Sequence, residues 1–83
     1  MNQAVQQVIN HFPSQEERIW QLWQADEDFQ EVCHDYTLCL ETLSRWAVAA
    51  TTQQTQEYLS LRRRLEFEIE MKIENGKENH HEN

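Results

Sequence analysis

The sequence predicts an all-α protein, an antiparallel helical hairpin preceded by one short helix. Three observations carry that expectation. The 83 residues contain one glycine and one proline, too few turn formers for the connections of a multi-strand sheet. Apolar side chains recur through the first half at the seven-residue spacing of a buried helical stripe. Hydrophobic residues make up 39% and charged residues 27%, a globular balance rather than a disordered one. A chain this short is one small domain with a modest core.

The first element is short. Val5, Val8, Ile9 and Phe12 form an apolar stripe at helical spacing, and Pro13 separates it from the rest. Ser14-Gln15-Glu16-Glu17 then reads as a capping box, in which the Ser14 and Glu17 side chains satisfy each other's orphan backbone donors. It predicts a helix start near residue 15. From there a seam runs through Ile19, Leu22, Asp26, Phe29, Cys33, Tyr36, Leu40, Leu43, Ala47 and Ala50, widened by Ala25, Val32, Cys39 and Trp46. One long helix over about 15–50 follows, roughly 50 Å at 1.5 Å per residue.

The pattern stops at Thr51-Thr52-Gln53-Gln54-Thr55-Gln56-Glu57, which contains no apolar residue. Threonine can cap a new helix, and a fresh stripe at Tyr58, Leu61, Leu65, Ile69 and Ile73 predicts a second helix over about 55–75. Asn75-Gly76 supplies its stop. An unbroken rod pairing with another chain is the alternative, because the turn contains neither glycine nor proline. Residues 1–76 form the single domain, and 77–83, without an apolar side chain, form a disordered polar tail.

Residues 65–74 alternate strictly between apolar and charged, the period of a half-buried strand. Helix remains the better reading. Leu, Glu, Met and Lys are good helix formers, and Arg62 to Glu66 and Arg64 to Glu68 are opposite charges four apart. A lone strand would leave its backbone groups unpaired. As a helix, the segment puts Leu65, Ile69 and Ile73 on one face and Phe67 with Met71 nearly opposite, where they want a partner.

With the turn near residue 52, facing positions place Ala47 beside Tyr58, Leu43 beside Leu61, Leu40 beside Leu65 and Tyr36 beside Ile69. The second helix runs out opposite residue 30. Ile19, Trp20, Leu22, Trp23 and Phe29 then overhang, and leaving them wet is improbable when each buried large side chain contributes about 1.5–3 kcal/mol. Either the first helix folds back over them through Pro13, or a second copy covers them in a dimeric, coiled-coil-like bundle.

Charge narrows the partners. Seven basic residues against fifteen acidic ones give a net charge of −8. Nucleic acid is excluded as a partner, since binding it needs a basic stripe that releases counterions. A basic protein surface fits better. Nothing approaches the roughly 20 apolar residues of a membrane span, and the first residues lack the form of a signal peptide. The expected compartment is the cytoplasm. Cys33 and Cys39 sit six apart on one helix and so on different faces, which predicts two reduced core thiols rather than a bridge.

Candidate chemistry is sparse. Glu31-x-x-His34 has the spacing with which bundle proteins aim a carboxylate and an imidazole at one metal, but both lie opposite the seam and should face water. No metal or cofactor is expected. The second reading of the chain is a metal or redox site assembled across a dimer from Glu31, His34 and the cysteines. One glycine cannot make a phosphate-binding loop, and no serine elbow is present. The chain reads as no enzyme. Asp26 is the one carboxylate on the seam, where a polar residue can fix register or association; alternatively it sits at the exposed end of the hairpin. With Glu27, Asp28, Glu31 and Asp35 it forms an acidic surface flanked by Trp20 and Trp23, a composition suited to docking a basic partner. Core cover by the first helix is the rival account of those tryptophans. The residues assigned to partner binding are therefore Trp20, Trp23, Asp26, Glu27, Asp28, Glu31, Phe67 and Met71.

Trp23-x-x-Asp26 leading into Asp28-Phe29, then Val32-Cys33-x-Asp35-Tyr36, Leu43-x-Arg45-Trp46, Glu57-Tyr58-x-x-Leu61 and Leu65-Glu66-x-Glu68-Ile69 resemble a group of short, acidic, uncharacterised bacterial helical-hairpin proteins. The resemblance covers about residues 19–70. It implies a free-standing bacterial helical hairpin and transfers no activity. The function expected is non-enzymatic protein–protein interaction, through self-association as a homodimer or the binding of a basic partner.

Overall fold

Four α-helices and one short 3₁₀ turn account for nearly all of the backbone in the computed structural model, which describes residues 2–46 and 51–81, with side chains to residue 75. The helices are α1 (Gln3–His11), α2 (Glu16–Ala25), α3 (Glu27–Arg45) and α4 (Thr52–His81), with the 3₁₀ turn at Pro13–Gln15. No described residue lies in a strand. The alternating run from Leu65 is helical, and its two faces separate as the helical reading requires. Leu65, Ile69 and Ile73 are buried, whereas Phe67 and Met71 are exposed.

Each helix start has a local cause. The Asn2 side chain caps α1 by accepting from the Ala4 N–H at 2.8 Å. At α2 the expected capping box does not form. The chain leaves α1 through a 3₁₀ turn closed by the Gln15 N–H on the Phe12 carbonyl at 3.0 Å, so the N-cap residue is Gln15, without a side-chain cap bond. Ser14 is held inside that turn and cannot take the extended N-cap conformation the box needs. The box geometry appears instead at the head of α4, where the Gln54 N–H donates to Thr51 Oγ1 at 3.1 Å and the Thr51 N–H donates to Gln54 Oε1 at 3.2 Å.

The single helix expected over 15–50 is two helices, broken at Asp26. This residue is extended (φ −137°, ψ 109°), and its Oδ1 accepts from the N–H groups of Asp28 and Phe29 at 2.9 and 3.2 Å. It is the N-cap of α3. Glu27 and Asp28 fill the first turn, where carboxylates oppose the positive end of the helix dipole. On the other side of the break Gln30 Nε2 donates to the Trp23 carbonyl at 2.6 Å, occupying an acceptor that the end of α2 leaves free. The seam anomaly thus marks a helix boundary. α3 ends at Arg45 with Trp46 as its C-cap, and the predicted seam positions Ala47 and Ala50 lie outside the described residues. α4 continues to His81, past the stop expected at Asn75-Gly76 and into the stretch expected to be a disordered tail.

α4 lies along α3 with contacts in antiparallel order: the Trp46 and Tyr58 rings meet at 4.7 Å, Tyr36 bonds Glu66, and Asp26 pairs with Lys72 at 3.7 Å. Asp26 is therefore not left opposite nothing. α1 packs on α2 and α3, and α2 also touches α4. Cover is consequently unequal along a molecule of 50 × 25 × 22 Å. In the core cluster to which all four helices contribute, Val5, Val8, Ile19, Phe29, Cys33, Tyr36 and Ile69 are sealed from solvent, whereas Leu40, Leu43, Tyr58 and Leu61 of α3 and α4, packed against its edge, are only half-buried. Two helices alone cannot enclose the seam between them.

Replacing Asp26 by alanine removes the side-chain acceptor of two backbone N–H groups at the break and is expected to destabilise the fold by about 0.5–2 kcal/mol, the usual worth of an N-cap. The half-exposed pair with Lys72 adds at most about 1 kcal/mol. Urea unfolding of the single and double alanine variants at positions 26 and 72 separates the two; a loss that vanishes in the Lys72→Ala background would assign the effect to the ion pair instead.

Candidate interaction surface

The predicted site residues fall into two groups on different helices. Trp20 and Trp23 belong to α2, Asp26 to the break, and Glu27, Asp28 and Glu31 to the start of α3. Both tryptophans are half-buried against the core. The Trp23 ring also packs on His34, centroids 5.6 Å apart and tilted by 54°. Most of the aromatic surface that would anchor a partner is thus spent inside the protein. Glu27, Asp28 and Glu31 remain exposed.

Phe67 and Met71 stand apart from that group. They lie one turn from each other on the face of α4 turned away from its buried stripe, 63% and 44% exposed. Arg63 and Arg64 precede them and Ser60 lies on the same face, lining a shallow hollow with Phe67. Leu38 of α3, 61% exposed, was not anticipated. It borders an open groove between α3 and α4 with Cys39, Thr42, Tyr58, Leu61 and Leu65. Its signal in the sequence is an apolar residue off the seven-residue seam.

One polar contact ties three helices together. Tyr36, fully buried, donates its hydroxyl to Glu66 Oε2 at 2.8 Å, and the His11 ring meets its ring edge-on at 5.5 Å. Glu66 also pairs with Arg62 at 3.8 Å. Burial, and then the bond to Glu66 and its negative charge, push the Tyr36 hydroxyl well above its ordinary range. It stays protonated and acts as a donor.

The cysteines are free and buried. Burial pushes the Cys33 thiol up from 9.0 to about 12 and raises Cys39 as well, with the Cys39 thiol donating to the Tyr58 carbonyl at 3.4 Å. A nucleophile or metal ligand needs the thiolate, and neither residue supplies one at neutral pH. Glu31 and His34 are exposed, so one chain does not bring them together with the buried thiols. Among the described residues no group of three or more His, Cys, Asp or Glu side chains could hold a metal ion.

The raised Cys33 thiol makes stability fall at alkaline pH. The folded state holds its proton more tightly than the unfolded state, so stability is unaffected below pH 9 and declines as the pH climbs toward about 12. Replacing Cys33 by alanine should lessen this decline, to which Tyr36 and Cys39 also contribute, while lowering stability at neutral pH. Thermal unfolding at several alkaline pH values measures both.

No described helix is long and apolar enough to cross a membrane. The described residues form a small all-helical fold with large apolar side chains on its surface. Comparison with protein-family models, curated proteins and solved structures finds no match.

Proposed function

We propose that this chain is a non-enzymatic helical interaction protein, acting through its surface by self-association or by binding a basic partner. The observation that carries this reading is the pair Phe67 and Met71, large apolar side chains adjacent on one exposed helix face. Scattered apolar residues on a surface need no explanation, but a pair at helical spacing beside charged neighbours has the composition of an interface. The acidic start of α3 supports the basic-partner form less strongly, because Trp20 and Trp23 already pack on the core. A reducing compartment such as the cytoplasm suits the two free thiols.

Light scattering on the purified chain, followed by affinity capture at low salt, tests the proposal. Association with itself or a retained basic protein supports it. A strict monomer that retains nothing overturns it.

A further inference from the structure

We propose that the outer face of α4 is a homodimer interface, in which two copies pair their α4 helices antiparallel about a two-fold axis at Phe67. This inference rests on the interaction reading above and names its surface, partner and orientation. At about 100° per residue, Ser60, Arg63, Arg64, Phe67, Glu70, Met71 and Glu74 all fall within about 60° of Phe67 around the helix. Every one of them is exposed. The buried stripe of Leu65, Ile69 and Ile73 is on the other side; the turn carrying Phe12, Ser14 and Gln15 borders the face at Glu70 and Glu74, and the exposed side chains stand open to another helix.

The order of charges selects the occupant. Along the face, Arg63 and Arg64 come first, then Phe67, then Glu70 and Glu74, so that two cations and two anions flank an apolar centre. Neither Arg63 nor Arg64 makes an ion pair among the described residues. In an antiparallel pair centred on Phe67, facing residues have numbers summing to about 134. Arg64 of each copy then faces Glu70 of the second copy, Arg63 faces Met71, Ser60 faces Glu74, and the two Phe67 rings share the centre. A parallel pair would instead set arginine against arginine and glutamate against glutamate, which is repulsive. The face is complementary to itself in one orientation only, the property a two-fold interface requires.

Position along the helix agrees. Phe67 is at the middle of the 30 residues of α4, so a two-fold axis there overlaps the helices along their full length. With the outer faces of the two α4 helices in contact, the helices packed on the buried stripe of each copy lie on opposite sides of the pair. A single helix pair buries less than the roughly 1,200–2,000 Å² of a standard interface. The dimer should accordingly depend on concentration, dissociating at low micromolar chain and forming at roughly hundreds of micromolar.

Analytical ultracentrifugation of the full chain over that range is the test. The mass should rise from 10.1 kDa toward twice that value. Phe67→Glu, at an exposed position that leaves the monomer folded by circular dichroism, should weaken association at least tenfold, and Leu38→Glu should leave it unchanged. Under mild oxidation, a mixture of Ser60→Cys and Glu74→Cys chains should cross-link to each other faster than either does to itself. A dimer that survives Phe67→Glu but is lost in Leu38→Glu overturns the inference and moves association to the groove between α3 and α4. Faster self-cross-linking of Ser60→Cys overturns the orientation and with it the charge argument. A monomer throughout that still binds a basic protein overturns this inference but leaves the wider reading in place, whereas a monomer that binds nothing removes both.

Discussion

Phe29→Ala is expected to remove a quarter or more of the folding free energy of this protein. The ring is fully buried in the core cluster shared by all four helices, with Val5, Val8, Ile19, Cys33 and Ile69 among its other sealed side chains. Truncating a buried phenylalanine costs about 3–5 kcal/mol, the lost transfer energy plus that of the cavity left behind. Against that, stability of about 0.05–0.15 kcal/mol per residue gives a chain of this length only roughly 4–12 kcal/mol in all. A urea titration followed by far-UV circular dichroism should show the midpoint falling with the slope preserved. Leu40→Ala is the control, since Leu40 is half-buried at the edge of that cluster and has less surface to lose. Equal losses at the two positions would refute the unequal cover described above.

Val8→Asp should be comparably severe, by another route. Val8 has no exposed surface, and α1 is held against α2 and α3 chiefly by Ala4, Val5, Val8 and Ile9. A carboxylate there must ionise without a partner or bind a proton at neutral pH, a cost on the order of 3 kcal/mol or more. Detaching α1 also exposes side chains on the helices beneath it. We expect a red shift in tryptophan emission from Trp20 and Trp23, together with a marked fall in the urea midpoint. Asn10→Asp, on an exposed position of the same helix, should change neither. If the two variants behave alike, α1 does not cover the core in solution.

These two expectations locate what could be read in advance. The apolar stripe of α1, the seam from Ile19 to Leu43 and the two faces of α4 are all legible, because each is a periodicity written within a few turns of one helix. The break at Asp26 was legible in part. An aspartate followed by Glu27 and Asp28 is an N-cap with an acidic first turn, yet the seven-residue register continues across it and reads as one rod. The opposite error occurred at Ser14, where good capping chemistry loses to the 3₁₀ turn through Pro13. Of the candidate site, Phe67 and Met71 could be placed on an unpartnered face from spacing alone. Trp20 and Trp23 could not, since their cover depends on how the bundle packs around α2, away from their own segment. Leu38 went unnoticed because its exposure depends on which side of α3 the other helices leave open.

By itself, then, the sequence determined the helical class, the buried stripes of α1 and α4 and the place of the two unbridged cysteines in the core. Those properties follow from residue type and from neighbours three or four positions away. Only the tertiary structure decided that the long helix bends at Asp26, that α1 rather than a second copy covers Phe29 and Ile19, and that the face carrying Phe67 remains open. Each of these depends on contacts between residues far apart in the chain, such as Asp26 with Lys72 and Tyr36 with Glu66. A local pattern sets which side chains need burial, but the chain's three-dimensional path decides which of them find it.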